Sequence, residues 1–288
     1  HRGGPVKERV LCFDCEGEAL VGILAEPARP PAADLGVIII VGGPQYRAGS
    51  HRQFTLLARH LAAHGLPTLR FDYRGMGDSG GAARDFLAVE ADIAAAVDAL
   101  QAACPGVKRV ALWGLCDAAS AALLYLESSR DARIAGIALA NPWVRSAASL
   151  AQTHVKHYYW RRLREPSFWL KLLRGGIGAQ ALRGLGSNLK LARAGTAAPD
   201  ARSFQDRMAA GLRGFAGPTL LLLSGDDYTA REFSVHAQGA AAWQGLLDRP
   251  QLRREPLPEA DHTFSGPQQA DVVANLTLDW LTSLQESR

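Results

Sequence analysis

A buried strand that halts at a glycine and restarts at once as a helix constrains this chain more than any other stretch. It reads Val110-Ala-Leu-Trp-Gly-Leu-Cys-Asp-Ala-Ala-Ser120. Val110–Trp113 is a short apolar run suited to a buried strand, and an Ala- and Leu-rich helical run follows Asp117. Cys116 stands between them at the place of Ser in G-x-S-x-G, the spacing of an elbow that lifts a nucleophile above a sheet at a helix N-terminus. Strand and helix pass closely at such a turn, so small residues are required on both sides. Gly114 meets the requirement, and Ala118 replaces the second glycine with the next smallest side chain. A cysteine suits the position, because helix-terminal N–H groups and a nearby histidine favour the thiolate. The plain alternative is a buried cysteine after an ordinary strand.

The rest of the chain alternates in a way that gives this elbow a sheet to stand on. Val10–Glu16 and Ala19–Glu26 form a hairpin around Gly17-Glu18, and Gly36–Val41, Pro67–Tyr73 and Ile134–Trp143 read as buried strands. Ser50-His-Arg-Gln53 has capping-box spacing and opens a helix ending near Gly65, while Asp85–Ala103 reads as a long amphipathic helix. Pro218–Gly225 and Leu252–Leu257 are further strands, with helices at Glu232–Leu247 and Gln268–Gln285. Strands alternating with helices predict an α/β fold, a mostly parallel sheet covered on both faces. The alternation fails from Val144 to Gly217, where Leu191–Ala201 looks loosely structured. Residues 1–143 and 218–288 are therefore expected to form the core, and 144–217 a helical cap inserted over the sheet's C-terminal edge.

Composition narrows the class. At 288 residues, with 48% hydrophobic and 21% charged residues, the chain suits one large globular domain with an insertion. Apolar runs such as Val37–Val41 fall well short of the roughly 18 residues of a membrane span. The opening His1-Arg-Gly-Gly-Pro5 has neither an initiator Met nor an apolar signal region, as expected of a trimmed chain. Cys12 and Cys15 make a lone C-x-x-C on a strand, where residues three apart face opposite ways, so no metal site is expected. Cys104 reads as a bystander, and reduced thiols in the cytoplasm are the simplest expectation. The net charge of +4 is uneven: residues 154–193 hold nine Lys and Arg against the single acid Glu165.

A cysteine nucleophile needs a base, and the base needs an orienting acid. Both occur downstream at strand ends. Leu220-Leu-Leu-Leu-Ser-Gly-Asp-Asp227 ends in two carboxylates, and Pro258-Glu-Ala-Asp-His-Thr-Phe264 places His262 in the loop before the last helix. Of the eight histidines, His262 alone follows a strand end after these acids. Only one of the neighbouring carboxylates can face it; Asp227 is preferred, with Asp226 the alternative. Acyl chemistry also needs two donors for an oxyanion. One is the backbone N–H of Asp117. The other comes from the loop after Val37–Val41, where Pro44 has no N–H, leaving Gly43 or Gln45; analogy with His-Gly-x-Pro loops favours Gly43. Arg47 and His51 lie beside that loop, where they either hold an anionic substrate group or face solvent.

Five stretches carry a family resemblance: Gly42–Arg47 with Ser50–Phe54, Leu69–Ser79, Trp113–Asp117, Asn141–Arg145 and Glu259–Phe264. With them the chain resembles the α/β-hydrolases, and more narrowly the type 1 hydrolases associated with the exosortase A system of Gram-negative bacteria. The resemblance implies the α/β-hydrolase fold and a setting in exopolysaccharide synthesis and protein sorting. Cys for Ser is a departure shared with dienelactone-hydrolase-like enzymes, which use a Cys-His-Asp triad. It implies a thioester intermediate that passes its acyl group to water or to another acceptor. The expected reaction is therefore ester or thioester hydrolysis without a cofactor. The alternatives are acyl transfer to a polysaccharide or lipid precursor, and a non-catalytic role beside the export machinery.

Two further motifs have plainer readings. Arg74-Gly-Met-Gly-Asp-Ser79 lacks the lysine and spacing of a phosphate loop and reads as a tight turn. The aromatic and basic run His154–Arg174 suits an anionic membrane face or an acyl or glycolipid substrate, though a cap helix packing its aromatics on a site mouth explains it as well. No base-reading motif is present, so nucleic acid is not an expected partner.

Overall fold

The computed structural model describes residues 4–28, 34–43, 45–146 and 202–286. The chain divides into two units, His1–Val144 with Phe204–Arg288, and Arg145–Ser203. Residues 147–201, most of the expected cap and all of the aromatic-basic run, lie outside the described residues. The sheet and its helices belong to the first unit.

Eight strands follow in chain order: β1 (Val6–Cys15), β2 (Glu18–Pro27), β3 (Leu35–Ile40), β4 (Thr68–Asp72), β5 (Arg109–Leu115), β6 (Ile134–Ala140), β7 (Thr219–Ser224) and β8 (Leu252–Leu257). They form one sheet in the order β1-β2-β4-β3-β5-β6-β7-β8. The β1–β2 and β2–β4 pairs are antiparallel, and every pair from β4 to β8 is parallel. Six α-helices accompany them among the described residues: α1 (Gln53–Ala63), α2 (Glu90–Ala103), α3 (Asp117–Ser129), α4 (Phe204–Gly214), α5 (Tyr228–Gly239) and α6 (Gln269–Glu286).

Alternation along the central strands divides the core into two layers. Ile38 and Ile40 of β3 pack with α2, α3 and α4, while Val37 and Ile39 pack with α1 and α6. All six residues of β3 are buried, which is why its sequence is a continuous apolar run rather than an alternating one. Each fully buried isoleucine contributes roughly 2–3 kcal/mol of burial free energy. Among the described residues no helix is long and apolar enough to cross a membrane.

Three helix boundaries differ from expectation, each for a local reason. The capping box at Ser50 does not form: Gln45 Nε2 donates to the Ser50 hydroxyl at 2.8 Å, and His51 and Arg52 take left-handed backbone at φ 52° and 59°. Helix α1 therefore begins at Gln53. The expected Asp85–Ala103 helix is interrupted, because the Asp85 carboxylate accepts the Leu87 N–H and closes a separate short turn at Phe86–Ala88. Helix α5 starts at Tyr228 rather than Glu232, nucleated by Asp227, whose carboxylate accepts the N–H groups of Thr229 and Ala230 at 3.1 Å each. Helix α4 was not foreseen. It packs against α3 and anchors Met208, Ala209 and Leu212 in the core, so the sheet-bearing unit resumes at Phe204, inside the stretch expected to belong to the cap.

Candidate active site

The C-terminal ends of β3, β5, β7 and β8 bring together residues far apart in the chain. At the end of β5 the chain turns sharply into α3. A Cβ on Gly114 would lie 2.6 Å from the Ala118 carbonyl carbon, so no larger residue fits. Cys116 itself adopts φ 62° and ψ −125°, a region costing a non-glycine residue about 1–3 kcal/mol. Its N–H donates to the Ala140 carbonyl at 2.9 Å and its carbonyl accepts the Trp143 N–H at 3.2 Å, which hold the turn open.

His262 reaches this cysteine from the loop after β8. Its Nδ1 hydrogen-bonds Asp227 Oδ2 at 2.8 Å, and the Cys116 side chain acts electrostatically on the same ring. Bonding to Asp227 first, and then the Cys116 side chain, push the His262 pKa up to about 10 against the opposing effect of burial. Burial raises the Asp227 pKa, but His262 and the Thr229 and Ala230 N–H groups outweigh it and hold the carboxyl below its ordinary value. Asp226, the alternative acid, is exposed. Asp261, next to the histidine, is engaged locally with Thr263 and Ser265.

The loop bearing His262 is fixed by a buried pair that sequence reasoning did not assign to the site. Asn141, at the end of β6, donates from Nδ2 to Ser224 Oγ at 2.9 Å and to the His262 carbonyl at 3.2 Å. Its Oδ1 accepts the Ser224 N–H at 2.9 Å, and Ser224 Oγ donates to the Asp261 carbonyl at 2.9 Å. Asn141 sits at φ 44°, where asparagine is among the better tolerated residues. The signal was an asparagine directly after a buried strand, where an apolar chain otherwise has no use for an amide. Asn141→Ala is expected to lower unfolding stability by about 2–4 kcal/mol in urea titrations, because it strands buried polar groups on two loops.

The loop after β3 contributes Gly43, at φ 61°. Its N–H donates to Asp117 Oδ2 at 2.9 Å, so one of the two expected oxyanion donors is engaged by an oxygen of the chain itself. Pro44 lies outside the described residues. Gln45 lines a cleft of about 540 Å³ together with Gly43, Tyr46, Tyr73 and Arg84. Arg47 does not point a spare cation at that cleft. Asp72, fully buried, accepts its backbone N–H at 2.7 Å and pairs with its guanidinium, and Asp78 pairs with it at 2.6 Å. Asp72 also accepts the Asp78 N–H at 3.2 Å. The Arg74–Ser79 turn and the loop after β3 are thus tied by one carboxylate. His51 is exposed before α1.

The other cysteines stand apart. Cys12 and Cys15 on β1 are exposed and buried respectively. Cys104 Sγ hydrogen-bonds Glu26, and burial together with that carboxylate pushes its pKa up to about 12. Among the described residues no cluster of three or more His, Cys, Asp or Glu side chains could hold a metal ion.

The profile of the alpha/beta hydrolase family matches residues 37–276. No curated protein matches the chain by sequence. Among solved structures, the chain is similar to the esterase Pf2001 of Pyrococcus furiosus, at 16% identity over 97% of this chain and 93% of that one, with a TM-score of 0.62. It is also similar to Est1E of Butyrivibrio proteoclasticus, solved with ferulic acid bound, at 17% identity over 96% and 100% of the two chains and a TM-score of 0.62. A dienelactone hydrolase of Anabaena variabilis shares 16% identity over 96% and 98%, with a TM-score of 0.59.

Proposed function

Because the chain belongs to the alpha/beta hydrolase family, we propose that it hydrolyses carboxylesters or thioesters through Cys116, His262 and Asp227, by way of a thioester on Cys116. One observation carries this reading: the imidazole that Asp227 holds by a 2.8 Å hydrogen bond is the one whose pKa the Cys116 side chain also raises. A cysteine beside a protonated histidine acts as a thiolate, and Asp227 keeps His262 protonated and correctly turned.

In the first half-reaction Sγ attacks the carbonyl carbon, a C–S bond forms, and the carbonyl π pair moves onto oxygen. Collapse of the tetrahedral species expels the alkoxide or thiolate, which takes the proton of His262. His262, now neutral, removes a proton from water as the water attacks the thioester. Release of the acid returns Sγ as thiolate and His262 as imidazolium. The N–H groups of Gly43 and Asp117 are the donors for the oxyanion in both halves.

The resemblance to exosortase-associated hydrolases supports a setting in exopolysaccharide synthesis, in which a saccharide- or lipid-linked acyl group is the substrate class proposed. A thiolate nucleophile and four free cysteines suit the reducing cytoplasm. The test is intact mass and peptide mapping after brief exposure to a p-nitrophenyl acyl ester. The expected result is one acyl adduct, on Cys116, with Cys104 unmodified because its thiol stays protonated. An adduct spread over the cysteines, or none on Cys116, sinks the reading.

A further inference from the structure

The oxyanion hole that this reading requires already contains a carboxyl oxygen of the chain itself. The Gly43 N–H donates to Asp117 Oδ2, and the N–H groups of Ala118 and of Asp117 itself also favour the same carboxylate. The fit is close. A Cβ on Gly42 would stand 1.9 Å from Asp117 Oδ1 and 2.8 Å from the Ala118 nitrogen, so the loop after β3 passes over this carboxyl only because Gly42 has no side chain. The other oxygen, Oδ1, is closed off from solvent and has no hydrogen-bond partner. An acid in the first turn of a helix ordinarily favours it while remaining solvated. Here the chain instead buries the carboxyl, with one oxygen unsatisfied, against the donors that an acyl reaction needs.

We infer that Asp117 is a positioning residue that gates the oxyanion hole: its carboxylate occupies the Gly43 donor at rest, and acylation of Cys116 requires that carboxyl to be displaced or to take up a proton. The inference rests on Cys116 being the acyl-forming nucleophile. Once protonated, the carboxyl no longer competes as an anion for the Gly43 and Asp117 N–H groups, and the substrate oxygen takes its place. The titratable groups facing Asp117 are Cys116 in its own turn, His262 from the loop after β8 and Tyr73 from the end of β4, while Arg47, in the loop of Gly43, is paired with Asp72 and Asp78. Burial moves the carboxyl upward, while the N–H groups and His262 oppose the shift. Opening of the gate therefore increases as pH falls through the ionisation of Asp117.

Two reagents separate the gate from the nucleophile. Iodoacetamide alkylates a thiolate by displacing iodide at a saturated carbon and needs no oxyanion hole, whereas p-nitrophenyl acetate acylates through a tetrahedral oxyanion. Rates of both are measured at Cys116 in the full chain, between about pH 5 and pH 9, for wild type, Asp117→Asn and Asp117→Ala. In wild type the ratio of acylation to alkylation is expected to rise as pH falls. In both variants it is expected to be independent of pH and, at the alkaline end, at least about 10-fold above wild type. Asn is isosteric with Asp, and rapid alkylation of Cys116 relative to Cys104 reports that the elbow remains folded. A wild-type ratio flat with pH, or variants no faster than wild type in acylation, overturns the gate and leaves the nucleophile standing. If wild-type Cys116 alkylates no faster than Cys104, the nucleophile reading fails and takes the gate with it.

Discussion

Cys116→Ala is expected to lower kcat/KM for a p-nitrophenyl acyl ester by about 10⁴-fold or more, with KM little changed, since removing one member of a cooperating set costs nearly as much as removing all. The site makes this loss hard to repair. Cys116→Ser keeps shape and hydrogen-bonding capacity, yet it is expected to fall close to the alanine variant. A serine must give its proton to a neutral imidazole, and the bond from Asp227, the largest cause of the raised His262 pKa, remains in the variant and keeps the ring a holder of its proton rather than a taker. In the proposed mechanism a cysteine nucleophile depends less on such a step, because a thiol gives up its proton far more readily than a hydroxyl. Initial rates of ester turnover for the three proteins check the claim, and a serine variant within tenfold of wild type would overturn it.

Asp227→Asn is expected to lower kcat/KM about 10³–10⁴-fold while the protein stays folded, the scale known for replacing the acid of a triad by its amide. Asparagine retains an oxygen for the Thr229 N–H, so α5 keeps half of its cap, while the Ala230 N–H, which shares Oδ2 with His262, loses its acceptor. What changes is the face toward His262. An amide NH₂ donates to Nδ1 and forces the proton onto the other ring nitrogen, while the charge that stabilised the imidazolium is gone. The His262 pKa then falls from about 10 toward its ordinary range, so the remaining activity gains a new decline as pH rises through neutrality. Asp226→Asn, at an exposed position, is the control. Equal losses in the two variants would show that the acid had been assigned to the wrong carboxylate.

Much of the sheet was legible because buried parallel strands are written as unbroken apolar runs. Val37–Val41 and Leu220–Leu223 admit few other placements, and the loops that follow them must gather at one edge. The sequence positions of Cys116, Asp227 and His262 followed from that edge, and the structure places the three side chains side by side. What escaped reading was of a different kind. Helix starts at Gln53 and Glu90 depend on which side chain takes which N–H: Gln45 removes Ser50 from its capping role, and Asp85 closes a turn of its own. Arg47 looked available as a substrate cation because its two carboxylate partners, Asp72 and Asp78, come from another loop. Asn141 and the carboxyl of Asp117 were passed over for the same reason. Their partners lie 83 and 74 positions away in the chain, and no local pattern encodes a contact at that range.

The backbone at Cys116 has a practical consequence for anyone who wishes to make this protein sturdier. A left-handed φ of 62° at a residue with a side chain is a standing load on the fold, and glycine at 116 relieves it. A screen that ranks variants by melting temperature therefore rewards a replacement that removes the nucleophile proposed above. Robustness and chemistry pull in opposite directions at this single position, and a library selected for heat resistance alone will drift toward an inert protein that is better folded than its parent.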